Sequence, residues 1–388
     1  GRIEFAQGKG HINTDAIDNS AGVDSSDHEV NIKILAAEAI RIGALKAKDR
    51  NALLAEMTDD VAAHVLRHNY DQTGALSLAE SSAAGDHDAL ERLMVYLEER
   101  GVLNRELEGL PSTAHMHLRQ EAGAWLTRPE LAVLLAWSKI VLIDDVVASD
   151  IPDDPYFESV LKSYFTKPID TYEEAIRNHR LKREIIATVI ANRSLDMAGP
   201  VPLLRVREMT GADNAAIVRG LEASRAVLDF DAFRREVDAL DNKVGADVQI
   251  DMRIQAMQAM NEAASWYVRN VPRAAVGEAV GETHAPLNEF KTALGSVHSP
   301  FPAARIERAV RALVKRGAPD ALARWTAVMS HFSQGLVVIG LAGAASVDVP
   351  NAGAAFYAIG DALRLDRLRA SARLRNGWWH KHGGRLRG

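Results

Sequence analysis

The stretch "TRPELAVLLAWSKIVLI", residues 127–143, predicts a buried helix and sets the expected fold class. Thr127 is a suitable N-cap, Pro129 fits the first turn, and Glu130 occupies the reciprocal capping-box position. The apolar residues that follow recur at a helical period, so this helix should pack into a core. The stretch therefore favours an α-helical protein.

The helical pattern extends over most of the chain. "LKREIIATVIANRSLDMAGP", residues 181–200, repeats apolar residues at helical spacing and should end at Gly199 and Pro200. Similar patterns occur in "ALERLMVYLEERGVL", "MRIQAMQAMNEAASWYVRN" and "ALARWTAVMSHFSQGLVVIGLA". We predict a multi-helix C-terminal domain over residues 46–388. The loop-like "PRAAVGEAVGETHAP", residues 272–286, indicates an internal break near 270–288.

Residues 1–45 have a different character. The short extended-looking pieces "RIEF" and "DAI" are interspersed with Gly8, Gly10 and Gly22, which is typical of the end of an α/β region. The fold class is therefore predicted as mainly α, with a short α/β remnant before the helical domain. The chain begins with Gly1 in "GRIEF", so we expect a fragment whose missing partner lies upstream.

Composition excludes several classes of protein. The 388 residues include no Cys, which excludes disulfides, thiolate catalysis and Cys-type zinc sites and favours a cytoplasmic location. The formal net charge of −6 argues against a nucleic-acid partner. The longest apolar runs, "LAVLLAW" and "GLVVIGLAGAA", are shorter than the roughly 20 residues of a membrane-spanning helix, so no membrane partner is expected.

The motifs for a nucleotide or a metal are weak. No G-x-G-x-x-G or Walker-type run occurs, and "GLAGAA", residues 340–345, is better explained by helix packing. His64 and His68 are four residues apart, but "HVLRH" lacks the Glu of a metalloprotease helix. We interpret them as a solvated or interhelical pair. The pairs His115/His117 and His380/His382 have no better support, so no metal site is predicted. The Arg-rich end with Trp378 and Trp379 is interpreted as a final helix with a disordered tail.

The polar run "DNSAGVDSSDHEVN", residues 18–31, has two interpretations. Ser26 and Glu29 fit a capping box, so "SDHE" could begin the next helix, with Asp24 and Asp27 near its positive end. In the second interpretation, Gly22 allows a close backbone approach before a helix N-terminus that could bind a carboxylate.

Three segments resemble the large, very long-chain bacterial NAD-dependent glutamate dehydrogenases. They are "INTDAIDNSAGVDSSDHEVNIKIL", "LTRPELAVLLAWSKI" and "HRLKREIIATVIANR", and their order also fits. The resemblance implies that residues 1–45 end a Rossmann-containing catalytic domain. It also implies the oxidative deamination of L-glutamate to 2-oxoglutarate and ammonia, with NAD as the hydride acceptor.

The resemblance also implies roles for individual residues. Asn19 would contact the nicotinamide end of NAD, and Ser26 would donate a hydrogen bond to the distal carboxylate of glutamate. Gly22 and Val23 would form the turn between them. Asp24, Asp27 and His28 receive no role. The family's catalytic Lys and Asp and its nucleotide loop are expected upstream, so no catalytic residue is assigned and this chain alone should be inactive.

The helical region has no chemical motif of its own. We expect it to support the rest of the catalytic domain and to contact other copies in a homo-oligomer. The alternative is a stand-alone helical interaction module without catalysis.

Overall fold

The computed structural model describes residues 1–297 and 300–365, and every regular element within these two ranges is helical. The mainly α fold class is therefore confirmed. The first eleven α-helices are α1 (Arg2–Gln7), α2 (Asp15–Asp18), α3 (Ser20–Arg41), α4 (Arg50–Glu56), α5 (Thr58–Glu99), α6 (Thr113–Glu121), α7 (Arg128–Ala148), α8 (Glu158–Tyr164), α9 (Glu173–Arg177), α10 (Lys182–Ala198) and α11 (Pro200–Thr210).

The remaining α-helices are α12 (Asn214–Val227), α13 (Phe230–Asp238), α14 (Ala246–Asn270), α15 (Val276–Val297), α16 (Pro300–Lys315), α17 (Asp320–Ala345) and α18 (Val349–Ala362). Short 3-10 helices occur at Ala47–Asp49, Ile151–Asp153, Pro155–Phe157 and Ile169–Thr171. The chain divides into two compact units. The first holds Gly1–Arg219 with Ala275–Gly277, and the second holds Gly220–Ala274 with the described residues from Glu278 onward.

The extended pieces predicted in residues 1–45 are helical. "RIEF" begins α1 and "DAI" lies in α2. The prediction that these two pieces are extended is therefore wrong. A short strand needs a partner strand for its backbone groups, whereas a helical turn pairs them locally. The Arg2 guanidinium also pairs with Asp15 and Asp18, which ties α1 to α2.

The predicted helix signals in the first unit are confirmed. The backbone N–H of Thr127 donates to the Glu130 carboxylate at 2.7 Å, which completes the capping box of α7. Glu130 is buried and also pairs with Arg119 at 2.9 Å. Helix α10 ends before Gly199, whose φ of +72° favours glycine, and Pro200 begins α11.

The core of the first unit lies where α5, α7 and α10 pack against one another. The apolar period predicted for these helices corresponds to their buried positions, including Leu93, Leu134 and Ile190. Helix α3 packs on α5 and α9. The long helix α5 therefore connects this core to the polar run at residues 18–31.

In the second unit, α17 packs against α14, α16 and α18. An added Cβ at Gly335 of α17 would lie 2.6 Å from the ring of Phe290, so glycine permits the close approach of α15. The prediction of a loop over residues 272–286 is wrong from Val276 onward, because α15 begins there and contains Pro286. The buried Leu287 and Phe290 stabilise the helix despite its proline.

Of the described residues, only those of α17 form a helix that could cross a membrane by length and composition. A core helix of a helical bundle passes the same test. Thr326 and Ser333 of α17 are buried within the second unit, and their hydroxyls donate to Leu322 and Ser330 carbonyls one turn earlier. Helix α17 packs against α14, α16 and α18, and 39% of its most apolar 18-residue window is buried in the structure. Trp378, Trp379, His380 and His382 lie outside the described residues.

Candidate functional site

The polar run at residues 18–31 forms the junction of α2 with the first half of α3. Asn19 is the break between the two helices, and α3 begins at Ser20. Gly22 and Val23 therefore lie in its first turn instead of a separate turn, and the helix start predicted at Ser26 is wrong. A helix that has begun at Ser20 extends more easily than a new helix nucleates, so no separate helix begins at Ser26. Glu29 pairs with Lys33 one turn later.

The residues that the resemblance singled out lie on one exposed stripe of α3. Asn19, Gly22, Val23 and Ser26 are spaced by three or four residues, which places them on the same helix face. Val23 is 77% exposed, and Val30 continues the stripe at 50%. The Asn19 amide and the Ser26 hydroxyl have no hydrogen-bond partner among residues 1–297 and 300–365. Both groups are therefore available to a ligand.

Neighbouring residues hold the start of this stripe in place. The side-chain amide of Asn69 on α5 donates to the Ile17 carbonyl and to the Ser20 hydroxyl, both at 2.8 Å. These two contacts flank Asn19. An added Cβ at Gly22 would lie 3.3 Å from Oδ1 of Asn19, so the glycine leaves room for the Asn19 side chain.

The opposite face of α3 carries Asp24 and His28, which meet His68 of α5. We name these three residues the α3–α5 cluster. His68 Nδ1 lies 2.8 Å from one Asp24 carboxylate oxygen, and His28 Nε2 lies 3.8 Å from the other. One potential ligand atom from each residue lies within 4.8 Å of the other two. His28 is buried, His68 is 37% exposed and Asp24 is 21% exposed by side chain.

Aromatic and polar neighbours surround His28. The Tyr164 ring stacks on it with centroids 4.6 Å apart, and the His64 ring lies edge-on at 5.6 Å. The Tyr164 hydroxyl donates to Asp27 at 2.7 Å and accepts from the Asn31 amide at 2.9 Å. These contacts hold the Tyr164 ring against His28.

The electrostatics of the α3–α5 cluster favour an anionic carboxylate beside one neutral imidazole. Burial lowers the pKa of His28, and Asp24 opposes this only in part. Burial alone would raise the pKa of Asp24, but the hydrogen bond and charge of His68 outweigh it, so this pKa lies below its usual value. The same hydrogen bond raises the pKa of His68.

The sequence did not predict the α3–α5 cluster. His64 and His68 lie on one face of α5, and the interpretation as an interhelical pair is correct for His68, which pairs with Asp24. Asp24 and His28 have the same four-residue spacing on α3. Each pair alone is a weak signal, and only the packing of α3 on α5 combines them.

The second unit contains a separate cavity of about 920 Å³. The residues around it include Glu262, Arg305, His331, Gln334 and Tyr357. Within its wall, the Tyr357 hydroxyl lies 2.9 Å from His331 Nδ1 and donates to Gln334 at 3.2 Å. No sequence motif indicated this cavity, since α14, α16, α17 and α18 each contribute part of it.

Comparison with known proteins identifies the family. Residues 123–381 match the family described as "Glutamate dehydrogenase, C-terminal", and residues 1–79 match "Bacterial NAD-glutamate dehydrogenase, catalytic domain". The chain is 36% identical over 391 residues to the NAD-specific glutamate dehydrogenase of Halomonas elongata, covering 98% of this chain and 24% of that protein.

Two further relatives carry the same description. The NAD-specific glutamate dehydrogenase of Pseudomonas aeruginosa is 37% identical over 94% of this chain and 23% of its own length. That of Mycobacterium tuberculosis is 34% identical over 98% of this chain and 24% of its own length. The chain spans about a quarter of the length of the curated relatives it matches. It belongs to the glutamate dehydrogenase family, and most of its length corresponds to the C-terminal region of that family.

Proposed function

We propose that the exposed stripe of α3 forms one wall of the active site of an NAD-dependent glutamate dehydrogenase. The observation that carries this proposal is the pair of unpartnered groups, the Asn19 amide and the Ser26 hydroxyl, on one exposed helix face. They are separated by seven residues, or about 10 Å along the helix axis. The wall can thus contact a cofactor and the far end of a substrate side chain together.

Asn19 fits the nicotinamide end of NAD. Its amide offers both a donor and an acceptor, which complement the carboxamide of nicotinamide. Bound NAD supplies the hydride acceptor for glutamate oxidation. No strand and no glycine-rich nucleotide loop occur in the part of the chain that the structure describes, so these residues hold only that end. The rest of the catalytic domain would bind the dinucleotide.

Ser26 fits the distal carboxylate of L-glutamate, which 2-oxoglutarate retains. Its hydroxyl donates well to an anionic oxygen, and its exposed position leaves space for the substrate. Asp27 lies next in sequence, but its carboxylate accepts a hydrogen bond from the Tyr164 hydroxyl. Hydrogen-bonding from Ser26 would orient the substrate, while catalytic groups in the rest of the domain transfer the protons.

The test measures glutamate-dependent NAD reduction by the enzyme that contains this chain. We expect Ser26→Ala to lower kcat/KM for glutamate by about tenfold or more, because a hydrogen bond to a charged group contributes about 1.5–3 kcal/mol. Asn19→Ala should raise the KM for NAD. The control is Ser25→Ala, since Ser25 is also exposed but points about 100° away from the stripe.

Two outcomes would contradict this proposal. Wild-type kinetics in Ser26→Ala would remove the substrate contact. The absence of glutamate-dependent NAD reduction in the complete enzyme would favour the alternative, a helical interaction module without catalysis.

We further propose that residues 46–388 support the catalytic domain, which ends near residue 45, and contact other copies in a cytoplasmic homo-oligomer. Exposed apolar side chains on the second unit, Val337, Leu341 and Ile359, support this role. Light scattering on the complete enzyme should give a mass of several chains. A monomeric mass at micromolar concentration would exclude the homo-oligomer.

A further inference from the structure

The strongest unexplained feature is the buried imidazole of His28 in the α3–α5 cluster. Neither of its ring nitrogens makes a hydrogen bond to any described residue, although the side chain is only 1% exposed. A buried polar group without a partner is costly and rare in folded proteins. An ion coordinated to His28 would satisfy one of these nitrogens.

The positions of the neighbouring groups match a metal site. A tetrahedral Zn²⁺ ion with bonds of about 2.0–2.2 Å holds its ligand atoms about 3.3 Å apart. The two Asp24 carboxylate oxygens lie 3.8 Å from His28 Nε2 and 2.8 Å from His68 Nδ1, respectively, and one potential ligand atom from each of the three residues lies within 4.8 Å of the others. Side-chain rotations that reduce the widest of these separations to about 3.3 Å would create the site.

We propose that Asp24, His28 and His68 bind one divalent transition-metal ion, for which Zn²⁺ is the best fit. Two imidazoles and one carboxylate suit zinc, whereas Mg²⁺ and Ca²⁺ require mostly oxygen ligands. A ligating imidazole is neutral, so Zn²⁺ competes with protons for His28 and His68, and its binding should weaken at low pH.

Two features of the surroundings favour a bound ion. Tyr164 stacks on His28 and restricts the orientation of its ring. The partial exposure of His68 and Asp24 gives the ion a route from solvent and leaves its fourth position for water or for the adjacent His64. The ion would connect α3 to α5 and hold the exposed stripe in place.

This site does not depend on the proposed enzymatic function. The sequence predicts no metal site, because "HVLRH" lacks the Glu of a metalloprotease helix. The ion would be held by one pair, Asp24 and His28, on α3 and by His68 on α5.

The test is a titration of the 388-residue chain, stripped of metal with EDTA, with Zn²⁺ in a calorimeter. We expect saturable binding of one equivalent of Zn²⁺, no binding of Mg²⁺, and a rise in Tm with Zn²⁺. Co²⁺ in place of Zn²⁺ should give the visible absorption bands of a four-coordinate ion.

The variants His68→Gln and Asp24→Asn should weaken Zn²⁺ binding by at least about a hundredfold, since even outer-sphere changes cost up to that much. Both side chains are partly exposed, so the fold should persist, and far-UV circular dichroism checks it. The matched control is His117→Gln. His117 is 63% exposed and faces Glu91 at 3.6 Å, yet no described residue joins this pair as a third potential ligand.

Two results would overturn the proposal. One is the absence of saturable Zn²⁺ binding by the wild-type chain. The other is equal Zn²⁺ affinity in His68→Gln, Asp24→Asn and His117→Gln, which would assign the binding to scattered surface histidines.

Discussion

The two faces of α3 differ in what their polar groups contact. On the exposed face, the Asn19 amide and the Ser26 hydroxyl have no partner among the described residues. On the buried face, the Asn31 amide donates to the Tyr164 hydroxyl and to the Asp27 carbonyl. One helix therefore separates the groups that we propose bind ligands from the groups that stabilise the fold. The same substitution on the two faces should have different effects.

The largest difference in unfolding free energy is expected between two apolar residues, one on each face of α3. Leu35 is fully buried, so Leu35→Ala should lower the free energy of unfolding by about 2–5 kcal/mol, through lost burial and a cavity. Val30 is 50% exposed, and Val30→Ala should change it by no more than about 0.5 kcal/mol. Urea denaturation measures both. Similar losses in both variants would mean that α3 is not amphipathic in solution.

The next difference in unfolding free energy is expected between two asparagines, one on each face of α3. Asn31→Ala should cost about 1–3 kcal/mol of unfolding free energy, because it leaves the buried Tyr164 hydroxyl without its donor. Asn19→Ala should cost less than about 0.5 kcal/mol, below the range for losing an N-cap hydrogen bond, because no side-chain cap hydrogen bond forms there. Denaturation of the two variants side by side tests this order, and a larger loss for Asn19→Ala would reverse it.

Gly22→Ala should separate stability from binding. Alanine in a helix is favoured over glycine by about 0.5–1 kcal/mol, so the variant should be more stable to urea. Its Cβ would lie 3.3 Å from Oδ1 of Asn19 and displace that exposed side chain. The KM for NAD of the complete enzyme should therefore rise. An unchanged KM would show that the position of Asn19 is not important for cofactor binding.

The smallest effect on stability is expected for Ser26→Ala. Alanine has the higher helix propensity, and Ser26 makes no hydrogen bond to the described residues. The free energy of unfolding should therefore rise by up to about 0.5 kcal/mol. The same variant should have a lower kcat/KM for glutamate. A loss of stability larger than about 1 kcal/mol would indicate a structural role for the hydroxyl instead.

Local sequence patterns predicted local features well. The capping box at Thr127 and the helix end at Gly199 were predicted because each depends on residues within a few positions. The start of α3 was predicted wrongly at Ser26. "SDHE" satisfies the cap pattern, but the chain had already entered the helix after Asn19, and a mid-helix serine needs no cap.

The sequence by itself determined the mainly α fold class, the signals that begin and end several helices, and the family. These follow from short-range periodicity and from motifs that can be recognised in the amino-acid sequence. Only the tertiary structure decided that residues 2–7 are helical, which face of α3 is buried, and that Asp24 meets His68, 44 residues away. The physical reason is that burial and polar contacts depend on the helix packed opposite. The sequence of one helix does not say which helix packs against it.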